Sequence, residues 1–154
     1  MFEGHDQAVA ALLRERRLLP PETLAALSEE CRTSGRSLAR AVIEQGLVDR
    51  SSLLRAVAAH LGLTFVAELP ATVGAKLTAL VPGDLARRFG VVPLRAGARS
   101  VDLLAVDPFA GAMAGELAFA LGRDVHLVVA DPAAVTRLLQ QHYGGAAAPG
   151  ADSA

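Results

Sequence analysis

The chain has 154 residues, a formal net charge of −1 and 52% hydrophobic residues, but only 4% aromatics. It can therefore form one ordinary domain or two small lobes built on Leu, Val and Ala, and the composition argues against disorder and against a general nucleic-acid or membrane-surface binder. The single cysteine, Cys31, excludes an intrachain disulfide and a cysteine-based metal site.

A first helix is predicted from near Asp6 to Arg17, with Val9, Leu12 and Leu13 inward. Arg14, Glu15, Arg16 and Arg17 form its solvated, basic end, which suits a helix C-terminus. A second helix, about Pro21 to Arg32, turns Leu24, Leu27 and Cys31 inward and starts where proline is tolerated. Thr33-Ser34-Gly35 breaks it. In the third helix Leu38, Ala41, Val42 and Gln45 fall at helical spacing. It stops at Gly46, because glycine alone takes a positive φ without a Cβ clash. Asp49 caps a fourth helix with Leu53, Leu54, Val57 and Leu61 on its buried face.

The second pair of helices repeats the first at a constant offset of about 29 residues. Leu13 aligns with Val42, Glu15 with Glu44, Leu18 with Leu47, Leu19 with Val48 and Leu24 with Leu53. Arg17 stands where Gly46 stands in the second copy, so the first turn must close differently or tolerate a cost. Helices this short are marginal alone, and their apolar faces must pack together.

From Leu63 to Val66 the chain is apolar and β-prone, and reads as a short extended link between two lobes. Short helices follow near 73–80 and 82–89, the latter stopped by Gly90. Val91 to Leu94 is strand-like, and Pro93 indicates an edge or an unpaired N–H. A turn at Ala96-Gly97-Ala98-Arg99 returns the chain through Val101 to Val106. Asp107-Pro108 leads into a helix from about Gly111 to Leu121. Val125 to Val129 is a third strand. Asp131 and Pro132 start the last helix, with Val135, Leu138 and Leu139 inward. The fold class is α+β. A bundle of four short helices, arranged as tandem helical hairpins over residues 1–66, precedes a small α/β lobe over 67–144. That lobe has a three-stranded, mainly antiparallel sheet with helices on one face. Residues 145–154 read as a disordered tail.

The order and spacing of these elements, closing at Tyr143-Gly144, resemble the MshEN-type N-terminal domain of the ATPases of type II secretion and type IV pilus assembly. That family carries a tandem motif of the form R-L-G-x-x-L-V-x-x-G-L-I-x-x-x-x-L-x-x-A-L-x-x-Q, through which some members bind cyclic di-GMP. The positions that survive here are Leu13, Leu18 and Leu24, then Leu38, Val42, Gly46, Leu47 and Leu53, and the resemblance makes these the ligand-motif residues. The opening Arg-Leu-Gly has become Ala8-Val9-Ala10 and Ser37-Leu38-Ala39, and the closing glutamines are Cys31 and His60. Loss of both arginines removes the fork that pairs phosphate or guanine edges. Arg14, Arg36 and Arg40 are the substitutes at hand, though no spacing demands them. No cofactor is expected, and cyclic di-GMP is the alternative ligand.

Nothing in the sequence makes an active site. It contains no G-x-x-x-x-G-K-[ST] phosphate loop. His5, His60, His126 and His142 lie in separate elements without ligand spacing, so no metal is expected. Asp107 reads as a turn starter, and Cys31 as a small core residue. No apolar run approaches the ~18–20 residues that span a bilayer, and nothing resembles a signal peptide, so the cytoplasm is expected. Nucleic-acid binding by a helix-turn-helix lacks a basic recognition helix. The expectation is a non-enzymatic regulatory or protein-interaction module. Its implied partner is a component of a secretion or pilus machinery, such as the cytoplasmic part of an inner-membrane platform protein.

Overall fold

In the computed structural model, residues 2 and 4–144 are described. The expected tail lies outside them. The chain divides into two compact units, Met1–Gly62 and Leu63–Ala154.

The first unit consists of α1 (Asp6–Glu15), α2 (Pro21–Ser34), α3 (Leu38–Glu44) and α4 (Arg50–Leu61). α1 touches each of the other three. Val9, Leu12, Leu13, Val42, Leu53 and Val57 have no exposed surface, so one apolar stripe from each copy meets the other. Leu61, expected inward, is only half-buried because α4 closes there. Capping differs between the copies. Asp49 caps α4 by accepting from the Ser52 amide, whereas α2 starts behind Pro20 with no side-chain cap. Asp6 adds a long-range tie, its carboxylate accepting from the Leu38 amide at 3.1 Å.

The second unit holds β1 (Thr64–Phe65), α5 (Ala75–Leu80), α6 (Gly83–Phe89), β2 (Val91–Ala96), β3 (Ser100–Ala105), α7 (Met113–Leu121), β4 (Asp124–Val129) and α8 (Pro132–Tyr143). Its sheet has four strands in the order β1-β4-β3-β2. β2 and β3 form the expected antiparallel hairpin. β4, however, runs parallel to β3, and β1 runs parallel to β4. This corrects the three-stranded, mainly antiparallel sheet read from the sequence. The segment read as a link is a strand, with Thr64 opposite Val128 and the Val66 amide donating to the Val129 carbonyl at 2.9 Å. For the same reason the units divide at Gly62 rather than after Val66.

Helices also cover both faces of the sheet, not one. Val91, Val101, Leu103 and Leu127 pack with Met113 and Leu117 of α7. The alternate residues Val92, Leu104 and Val128 pack with Val135 and Leu138 of α8. Parallel pairs need a helical crossover, and crossovers place helices on the faces. Strands buried on both sides then read as continuous apolar runs, which hides their pairing partners.

Candidate functional site

The site is built from the two turns of the helical repeat. α1 ends at Glu15, short of the expected Arg17, because Arg17 takes φ +55°, while Gly46 takes φ +70°. The turns carry the same hydrogen bonds. The Arg16 amide donates to Leu12 O at 3.0 Å and Gln45 to Ala41 O at 3.0 Å. Arg17 donates to Arg14 O at 3.2 Å and Gly46 to Ile43 O at 3.0 Å. Leu18 donates to Leu13 O, and Leu47 to Val42 O, each at 3.0 Å. The first turn therefore closes like the second, and an arginine bears the left-handed conformation that glycine takes freely.

The structure separates the eight motif positions into two groups. Leu13, Leu24, Leu38, Val42 and Leu53 are buried core residues. Leu18 is half-buried, Gly46 is exposed and Leu47 is 39% exposed, so these three alone reach the outside of the turns. At the lost opening positions, Ser37 is buried and caps α3, its hydroxyl accepting from the Arg40 amide at 3.2 Å. Ala39 is fully buried. Cys31 is buried as well, and burial, aided by Asp6, pushes its thiol pKa up, away from a reactive thiolate.

The candidate arginines also divide. Arg36 and Arg40 both engage Glu44, at 2.7 and 2.8 Å. The hydrogen-bonded Arg40, with Arg36 beside it, holds the Glu44 carboxyl below the usual carboxylate range. Arg14 instead lines an open pocket of about 480 Å³ together with Arg17, Leu18, Leu19, Pro20, Pro21 and Leu24. Among the described residues no ion pair involves Arg14 or Arg17. Glu15, the carboxylate between them in sequence, lies 3.4 Å from His60 Nδ1. Sequence reasoning took Arg17 for part of a solvated helix end. The signal that singles it out is an arginine where the repeat calls for glycine.

Two surfaces stand out in the second unit. β2 is terminal in the sheet, as Pro93 indicated. Yet Pro93 has no N–H to offer, the register shifts between Pro93 and Arg95, and α5 and α6 lie against the strand. These features blunt the edge. On α7, by contrast, Phe119 is 92% exposed, opposite the buried Met113 and Leu117. Periodicity did not single it out, because α7 is apolar nearly all round. His142 Nε2 accepts from the Val73 amide at 2.9 Å, and Asp107 accepts from the Phe109 amide at 3.1 Å, so both have structural work. Among the described residues no cluster of His, Cys, Asp or Glu could hold a metal ion.

The MshEN domain model matches residues 61–149, more than half of the chain. The chain belongs to the MshEN domain family. The matched stretch begins at the end of α4, so it covers the α/β unit, and the tandem turns lie before it. A curated relative, the type IV pilus assembly ATPase PilB of Thermus thermophilus, is 35% identical over 122 residues, 75% of this chain. The matched stretch spans only 14% of that relative's length. This MshEN chain is homologous to the N-terminal part of PilB. Among solved structures, MshE with cdg matches at a TM-score of 0.73 and 21% identity, covering 88% of this chain and 98% of that one. The N-terminal domain of XpsE matches at a TM-score of 0.62 and 23% identity, covering 88% and 94%. These likenesses establish a shared fold that includes the helical unit.

Proposed function

We propose that this MshEN chain is a non-enzymatic docking module. It engages a protein component of a secretion or pilus machinery in the cytoplasm, such as the cytoplasmic part of an inner-membrane platform protein. The observation that carries this reading is Phe119, a ring left 92% in water on a helix whose other face is buried. An aromatic side chain with that exposure is not held by the core, and aromatic residues are enriched in the cores of protein interfaces. No helix among the described residues is long and apolar enough to cross a membrane.

The test is docking of the full chain to cytoplasmic portions of secretion and pilus platform proteins. Phe119→Ala should weaken that docking by at least about 2 kcal/mol, about thirtyfold, with the melting midpoint unchanged. Equal binding by the variant rejects the α7 surface. Absence of binding by the unmodified chain rejects docking itself.

The purified chain should show no ATP turnover, since its sequence lacks a phosphate-cradling loop. Turnover in a contaminant-free preparation would overturn the non-enzymatic reading.

The alternative reading is a cyclic di-GMP sensor, suggested by the fold shared with MshE with cdg. Calorimetric titration separates the two. The docking reading expects weak or absent binding, improved by Ala8→Arg, Ala10→Gly, Ser37→Arg and Ala39→Gly together. Micromolar or tighter binding by the unmodified chain, about −8 kcal/mol, would favour the sensor.

A further inference from the structure

The tandem turns share a backbone but not a charge. Arg14, Arg16 and Arg17 of the first copy correspond to Ile43, Gln45 and Gly46 of the second. A two-fold symmetric ligand with two phosphates would ask the same of both turns. All three cations stand at one of them.

Arg17 sharpens the contrast. It holds φ +55° at a position where Gly46 shows that glycine makes the same turn. A non-glycine residue in the left-handed region is strained, and strain of this kind clusters at functional sites. Arg14 and Arg17 both line the pocket at this turn and have no counter-ion among the described residues. α2 begins at the same pocket without a side-chain cap, and Glu22 in its first turn offsets the positive end of its dipole, so the charge at the pocket is that of the two guanidinium groups. The rest of the lining is apolar, from Leu18, Pro20 and Pro21, with the buried Leu19 and Leu24 beneath.

We propose that this pocket takes an acidic peptide segment in which carboxylates alternate with bulky apolar side chains. A carboxylate pairs with Arg14 and Arg17 through charge-assisted hydrogen bonds, and an adjacent apolar side chain lies on Leu18, Pro20 and Pro21. The inference goes beyond docking through α7, because it concerns the other unit and names the chemistry of a partner segment.

The probe is a short synthetic peptide alternating glutamate and leucine, titrated by fluorescence anisotropy against the full chain. Its control alternates glutamine and leucine. The acidic peptide should bind saturably, and the control should bind at least about tenfold more weakly. Arg14→Ala and Arg17→Gly should each weaken the acidic peptide by about tenfold, and added salt should weaken it too. Arg17→Gly relieves backbone strain, so its melting midpoint should rise while affinity falls, a combination that a misfolded variant cannot give. Failure of the acidic peptide to bind, indifference to both arginine changes, or equal binding of the control would each overturn the proposal. So would displacement of the peptide by cyclic di-GMP at lower concentration than the peptide itself requires, which would assign the pocket to the dinucleotide. Phe119→Ala separates the two surfaces. It should leave peptide binding unchanged, and loss of peptide binding in that variant overturns the separate pocket.

Discussion

Leu13→Ala should destabilise the first unit by about 2–5 kcal/mol, the range for removing a buried leucine side chain and leaving a cavity. Leu13 has no exposed surface, and its carbonyl also accepts the amide of Leu18 that closes the first turn. The side chain is lost while that backbone bond survives, so the cost is one of packing. Leu53→Ala, also fully buried, should behave alike. The measurement is the urea midpoint followed by a probe of helix content. It decides what the surviving motif positions are for. A large drop in midpoint makes them core residues, which many apolar ligand motifs share with their scaffold. An unchanged midpoint for Leu13→Ala would contradict the packing described here and return Leu13 to the surface of a ligand site.

Gly46→Val is the second large effect, expected to cost about 1–3 kcal/mol. At φ +70° a Cβ added to Gly46 would meet nothing within 4 Å. The penalty is therefore conformational, arising in the residue's own backbone, and a β-branched side chain makes it worst. Arg17 supplies the mirror experiment. Arg17→Gly should stabilise by about 0.5–1 kcal/mol, the relief of left-handed strain less the entropy glycine loses on folding. Opposite signs at equivalent positions of one repeat are a stringent test of the shared turn. If the two substitutions moved the melting midpoint in the same direction, the equivalence of the turns would be refuted.

The division of the arginines has a consequence for motif restoration. Arg40 is already committed to Glu44, and Ser37 to the cap of α3. Ser37→Arg thus gives up a capping bond, typically about 1 kcal/mol, in exchange for a ligand contact. Some stability loss should accompany any gain in cyclic di-GMP affinity.

The sequence by itself determined the local features. Apolar periodicity marked α1 to α4, glycine and aspartate marked their ends, and the repeat was visible because the same residues recur at the same turn. Its order of elements also carried the family likeness that the comparisons bear out. Each of these depends on neighbours a few residues apart. Tertiary structure alone decided the sheet. β4 lies beside both β3 and β1, and its pairing with Thr64 and Phe65 spans most of the second unit. No local pattern records a parallel partner, because strands buried on both faces lose their alternation. Exposure was undecided for a related reason. Phe119 and Leu117 are both apolar residues of α7, and only the packed sheet shows that one is buried and the other stands in water. Arg17 belongs to the same class. Its charge was legible, but its left-handed backbone and its place beside Leu18 and Leu24 follow from how the two copies close the same turn.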